Sequence, residues 1–145
     1  MLKSINTESS VAVYVQIQNQ IQFAIASGSL KEGDQLPPIR EWVDQLGINP
    51  NTVMKAYREL EVMGFLRARR GMGFYVQKGA AGEVRERCRK RIAERLYEAV
   101  SEARAAGMGI AQARKIVDSS YESAGGPYET VPKEVVKLAA KAGRK

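Results

Sequence analysis

Between Ala12 and Ser27, hydrophobic residues return at three- and four-residue steps: Tyr14, Ile17, Ile21, Ala24 and Ile25 are interleaved with Gln16, Gln18, Gln20 and Gln22. This period predicts an amphipathic helix with the glutamines on its exposed side, ended by Gly28 in a left-handed C-cap. After a turn at Lys31-Glu32-Gly33-Asp34, Pro37-Pro38 opens a short helix to Leu46, with Ile39, Trp42, Val43 and Leu46 on one stripe. Gly47 stops it. Asn49 then caps a third helix with Pro50 at its first position, running through Glu61 or Met63 to Gly64. Two helices joined by a tight glycine turn read as a helix-turn-helix.

Past Gly64 the period shortens. Two β-prone runs, 65–69 and 74–77, flank Arg70-Gly71-Met72-Gly73 and predict a hairpin. Residues 78–82 are small and flexible in character, which places a boundary there, with residues 1–78 as one domain and 79–145 as another region. From Glu83 to Ala106 the apolar positions Val84, Cys88, Ile92, Leu96, Val100 and Ala103 step mostly by four. Gly107-Met108-Gly109 separates that helix from one at 110–124, with Ile110, Ala113, Ile116, Val117 and Tyr121 on one side; helix, glycine turn and helix predict an antiparallel pair. A weaker helix follows Pro132 and contains Val135, Val136, Leu138 and Ala139. The fold class expected is mostly α with a small β-hairpin: an N-terminal winged helix-turn-helix and a short C-terminal helical dimerisation region.

Composition narrows the chemistry. No apolar run reaches the ~18–20 residues of a membrane span, and residues 1–8 lack the apolar core of a signal peptide, so the expected address is the cytoplasm, with no membrane partner. Cys88 is the sole cysteine and histidine is absent, which removes an internal disulfide, a cysteine metal site and the commonest general base. Cys88 reads as a small core or interface residue. No metal or cofactor is expected. A net charge of +7 favours a phosphate-bearing partner without requiring one.

On a helical wheel Val53, Ala56, Tyr57 and Leu60 share one face, and Asn51, Lys55 and Arg58 the opposite one. An amide and two cations on a free stripe suit the major groove, where asparagine reads adenine and lysine or arginine meets guanine or phosphate. Asn49 and Thr52, at the N-terminal turn, are placed to bond phosphate oxygens. Taken alone, the stripe equally suits a capped, solvated helix whose cations pair with Glu59 or Glu61. Its neighbours favour double-stranded DNA: Arg40 opens the preceding helix, and Arg67, Arg69 and Arg70 flank a glycine-rich wing tip.

The ordered segments 33–40, 46–53, 56–61, 64–66 and 71–76 (Gly-Asp-Gln-Leu-Pro-Pro-Ile-Arg, Leu-Gly-Ile-Asn-Pro-Asn-Thr-Val, Ala-Tyr-Arg-Glu-Leu-Glu, Gly-Phe-Leu and Gly-Met-Gly-Phe-Tyr-Val) resemble the winged-helix domain of the GntR family. The Asn-Pro-Asn-Thr-Val segment and the short helical second half resemble its YtrA subfamily. The resemblance implies DNA contacts at Arg40, Asn49, Asn51, Thr52 and Gly71, and dimerisation through the C-terminal part. Pro50 and Met54 stand where many members place DNA-contacting arginines, and Pro38 replaces the usual capping serine. Lys55 and Arg58 are therefore candidates on their own chemistry.

Residues 1–78 carry nine Lys/Arg against seven Asp/Glu, and 79–145 fourteen against nine, so charge does not concentrate in the expected DNA-binding part. The run Arg85 to Arg91 suits either phosphate or a solvated face. Short helices bury little alone, so a homodimer is expected through Val84, Cys88, Ile92, Leu96, Val100, Ile116 and Tyr121. A dimer would bind a roughly palindromic operator, and families of this kind more often repress. A small-molecule effector has room at the dimer seam, though no residue constellation marks one. Two other classes remain: an architectural module that binds DNA without reading sequence, and a small enzyme using Asp44, Glu41 or Tyr57. The enzyme lacks a nucleophile motif, a phosphate loop or a metal cluster.

Overall fold

The computed structural model describes residues 4–128 and 130–142. Its elements are α1 (Val13–Ser27), α2 (Ile39–Leu46), α3 (Pro50–Val62), β1 (Leu66–Arg69), β2 (Gly73–Val76), α4 (Ala80–Ala105), α5 (Ile110–Ser123) and α6 (Lys133–Ala142). Two compact units divide after Arg89.

In the first unit, α1 and α2 pack on α3, and α3 runs almost directly into β1. Its core joins Ile17, Ile21 and Ile25 of α1, Trp42 of α2, Val53, Tyr57 and Leu60 of α3, and Phe65, Leu66 and Val76 of the hairpin. The apolar stripes read from the sequence are thus the ones that meet. Gly47, at φ 65°, makes the left-handed turn between α2 and α3, a conformation in which a Cβ would be strained. β1 and β2 pair antiparallel, Leu66 opposite Val76 and Arg69 opposite Gly73. A third segment lies along β2: Gly33 N–H donates to Val76 O, Val76 N–H to Asp34 O, and Leu36 N–H to Phe74 O, each at 2.9 Å.

Three expectations need correction. The glutamines of α1 are buried: Gln16, Gln18, Gln20 and Gln22 all lie at 6% exposure or less. Gln18 turns to Glu59 of α3 and Gln22 to the carbonyl of Gln18, whereas Gln16 and Gln20 lie under a strap formed by residues 4–12. Gln16 accepts from Asn6 N–H at 2.9 Å and donates to Asn6 O at 2.7 Å and Val11 O at 2.9 Å, while Gln20 donates to Ser4 O at 3.2 Å. These amides satisfy backbone groups of a segment with no ladder of its own.

The second correction concerns residues 78–82. α4 begins at Ala80, and Ala80, Val84 and Cys88 step by four into the core of the first unit. Glu32 caps the start of α4. The N–H groups of Gly79, foremost, and Ala81 hold its carboxyl below the usual range. Val84 and Cys88 are consequently core residues of the first unit and lie outside the exposed stripe assigned to dimerisation.

Third, in the second unit α5 packs on α6 rather than folding back along α4. Gln112 Nε2 donates to Leu138 O, and Val135 is buried. α4 beyond Arg91 is exposed along nearly its whole length, including Ile92, Leu96 and Val100.

Candidate nucleic-acid interface

α3 presents one packed and one open face. Val53, Ala56, Tyr57 and Leu60 are fully buried, whereas Asn51, Lys55 and Arg58 are exposed and Thr52 is half-buried. Asn49 Oδ1 accepts from Asn51 N–H at 2.8 Å, so Asn49 is the N-cap and holds the first turn of α3 in shape. The backbone N–H of Asn51 is thereby engaged, while its side chain faces outward.

The pose of α3 is set from behind. Trp42 Nε1 donates to Tyr57 Oη at 2.8 Å, and Tyr57 Oη donates to Pro37 O at 2.5 Å. Burial pushes the Tyr57 phenol well above its ordinary pKa of 10.0; Trp42 N–H opposes this, and Glu41 reinforces it. The phenol thus remains a neutral bridge between α2, α3 and the segment entering α2. Phe74 stacks edge-on against Tyr57 with ring centroids 5.2 Å apart, tying the wing to the same residue.

Glu59 and Glu61 serve packing rather than the cations of α3. Glu59 accepts from Gln18 Nε2 at 2.5 Å, joining α1 to α3, and Glu61 accepts from Ala68 N–H at 3.0 Å, closing a group on the edge of β1. The Lys55 ammonium lies 3.9 Å from the Tyr14 ring centroid. It is held toward α1 by cation–π attraction, with a partner that the helical wheel of α3 alone could not reveal.

On the wing, Arg67, Arg69, Arg70 and Gly71 are exposed. Alternation along β1 sets Arg67 and Arg69 on one face, and the Arg69 guanidinium lies 4.6 Å from the Tyr75 ring centroid. Arg40 is also exposed, with its Nε 3.9 Å from Asp44 Oδ2, a solvent-screened pair that leaves the guanidinium open to a stronger acceptor. The first unit therefore exposes Arg40, the α3 stripe and the wing arginines as polar groups. Of the residues expected to dimerise, Ile92, Leu96, Val100 and Tyr121 are exposed, Ile116 is half-buried, and Val84 and Cys88 are internal.

Asp44 and Glu41 are exposed on α2, whereas the Tyr57 hydroxyl is committed to Trp42 and Pro37, so the three do not converge. Among the described residues no group of three His, Cys, Asp or Glu is placed to hold a metal ion, and no helix is long and apolar enough to cross a membrane.

Comparison with known proteins agrees with this geometry. Residues 13–76 match the family described as bacterial regulatory proteins, gntR family. The chain is 37% identical over 106 residues to the HTH-type transcriptional repressor YtrA of Bacillus subtilis, covering 73% of this chain and 82% of that one. Among solved structures, a transcriptional regulator from Oenococcus oeni is 31% identical with a TM-score of 0.59, covering 81% of this chain and 98% of its own. YtrA from Sulfolobus acidocaldarius, a GntR-family transcription factor, is 36% identical with a TM-score of 0.51, covering 68% and 96%. The winged helix-turn-helix, its open polar face and these relatives agree that the chain is no enzyme but a DNA-binding transcriptional regulator of the GntR family.

Proposed function

We propose that this regulator acts in the cytoplasm as a homodimer, reads a roughly palindromic operator and represses transcription by covering promoter DNA. One observation carries the reading: α3 is anchored by a buried face while Asn51, Lys55 and Arg58 stand open beside an arginine-bearing hairpin. Asn51 and Arg58 read base edges in the major groove. Arg40, Thr52 and Lys55 meet phosphates, and Asn49 sets the α3 N-terminus against them. Arg67, Arg69, Arg70 and Gly71 form the wing contact in or along the minor groove. Residues 1–78 carry DNA binding on this reading, and 79–145 carry assembly, with the first turns of α4 also completing the N-terminal core. The name of the B. subtilis relative supports repression.

Assembly rests on the second unit. Ile92, Leu96 and Val100 form an apolar series along α4 and Tyr121 lies on α5; all four are about half exposed or more, apolar surface that water solvates poorly. A second copy covering these residues, together with the half-buried Ile116 of α5, gives a symmetric dimer and two recognition helices. Footprinting on the promoter of the chain's own gene, together with selection from random DNA, tests sequence reading. A folded Arg40→Ala, Asn51→Ala variant is expected to lose at least tenfold in affinity for the selected duplex, on the order of the ~1–3 kcal/mol of one bidentate contact. Affinity equal to that of the parent refutes the assignment. In sedimentation, Leu96→Glu is expected to yield monomer, and an unchanged dimer refutes the proposed seam.

A further inference from the structure

We infer that Gln35 is the positioning residue of the wing tip, an inference that rests on the DNA role proposed for the wing above. The β1–β2 register ends at the Arg69–Gly73 pair, beyond which Arg70, Gly71 and Met72 form the turn. Gly71 at φ 75° and Gly73 at φ 99° bracket Met72, so the tip sits between two hinges with wide conformational freedom. Within the hairpin, the turn is closed by Met72 N–H donating to Arg69 O at 2.9 Å.

A second restraint comes from outside it. Gln35 Nε2 donates to Met72 O at 2.7 Å, across 37 positions of sequence. The same amide lies over Gly73, where an added Cβ would stand 3.4 Å from Nε2. Gln35 is itself well anchored. It bridges Tyr75 of β2, and its neighbour Leu36 is buried and bonded to Phe74 O. Tyr75 is also the ring beneath Arg69. One residue of the Asp34–Leu36 segment thus fixes both the tip carbonyl and the backbone beside the arginine platform.

Gln35 is exposed, so a single neutral hydrogen bond there adds little to folding. Its consequence falls on the wing. A tip ordered before contact does not incur that ordering cost when DNA arrives.

The test uses the full chain and Gln35→Met, which keeps side-chain length but cannot donate. In the free protein, backbone order parameters of residues 70–73 are expected to fall from about 0.85 to below about 0.6, with the urea midpoint falling by less than about 0.5 M. Affinity for the tightest duplex recovered from random DNA is expected to weaken about fivefold, the scale of one lost hydrogen bond. In an Arg70→Ala background the same change is expected to weaken binding less than about twofold, because the contact it prepares is gone. A tip that stays ordered in Gln35→Met, or a full effect that persists beside Arg70→Ala, overturns the role of Gln35. If Arg70→Ala leaves affinity untouched, the wing's DNA role fails and takes this inference with it. A normal Arg70 effect beside a silent Gln35→Met removes only the positioning role.

Discussion

Replacing Tyr57 by phenylalanine removes one oxygen from the hydrogen-bonded bridge that joins α2, α3 and the segment entering α2. That oxygen accepts from Trp42 Nε1 at 2.8 Å and donates to Pro37 O at 2.5 Å. Trp42 is at 0% exposure and Pro37 is half-buried, so the indole N–H is left without water while the carbonyl is partly reached by it. An unsatisfied buried donor costs about 1–3 kcal/mol, and the half-buried acceptor about 1 more, giving an expected loss of about 2–4 kcal/mol. With a urea dependence of about 2 kcal/mol per molar, the midpoint should fall by about 1–2 M at an unchanged slope. Trp42 is the sole tryptophan, so its emission follows the transition at the perturbed site. A Trp42→Phe, Tyr57→Phe double variant, followed by circular dichroism, should lose less than the sum of the single variants, since no indole donor remains to be stranded. A fall in midpoint below about 0.3 M for Tyr57→Phe, or full additivity in the cycle, refutes the bridge as a source of stability.

Other outcomes follow from the same geometry. The Tyr57 pKa is raised in the folded state, so its stabilisation is complete below pH 10 and is lost as pH rises further; alkaline titration of unfolding should show a decline that Tyr57→Phe lacks. Glu32 behaves oppositely. Its depressed pKa stabilises the start of α4 above about pH 4.5, and this is lost as pH falls through the lower folded value, so the exchange protection of the Gly79 and Ala81 amides, relative to their intrinsic rates, should fall only in that acid range. Asn49→Ala removes the α3 cap and should cost about 0.5–2 kcal/mol in chemical denaturation, whereas Asn51→Ala should leave stability within about 0.5 kcal/mol while weakening DNA binding. Gln16→Leu strands Asn6 N–H, Asn6 O and Val11 O, and should release the strap, seen as loss of exchange protection at Asn6.

The open polar face of α3 was legible because it obeys a local rule. A capped helix with Val53, Ala56, Tyr57 and Leu60 on one side must turn Asn51, Lys55 and Arg58 the other way, whatever surrounds it. The glutamines of α1 were misread for a related reason. A polar residue in a periodic pattern reads as solvated, but neither the aperiodic residues 4–12 that lie across Gln16 and Gln20 nor the distant Glu59 that takes Gln18 is signalled by that pattern. Gly79 and the small residues 80–82 look like a hinge to composition, although Ala80 and Val84 continue the four-residue step of Cys88 into the core. The bond from Gln35 to Met72 and the stacking of Lys55 on Tyr14 join distant positions through side-chain reach, which spacing along the chain does not encode. The pairing of α5 with α6 likewise depended on which amphipathic faces met, where the glycine turn after α4 had suggested a nearer partner.

Only Met63, Gly64 and Phe65 separate the last residue of α3 from β1, and Phe65 N–H returns to Leu60 O at 3.0 Å. That short, bonded splice leaves no slack between the two elements proposed to grip DNA, so they behave as the jaws of a fixed caliper. A duplex whose local twist or groove width departs from the set span would have to deform to be held, at a cost that depends on its step-by-step stiffness. Bases that no side chain touches would then still govern which sites are occupied.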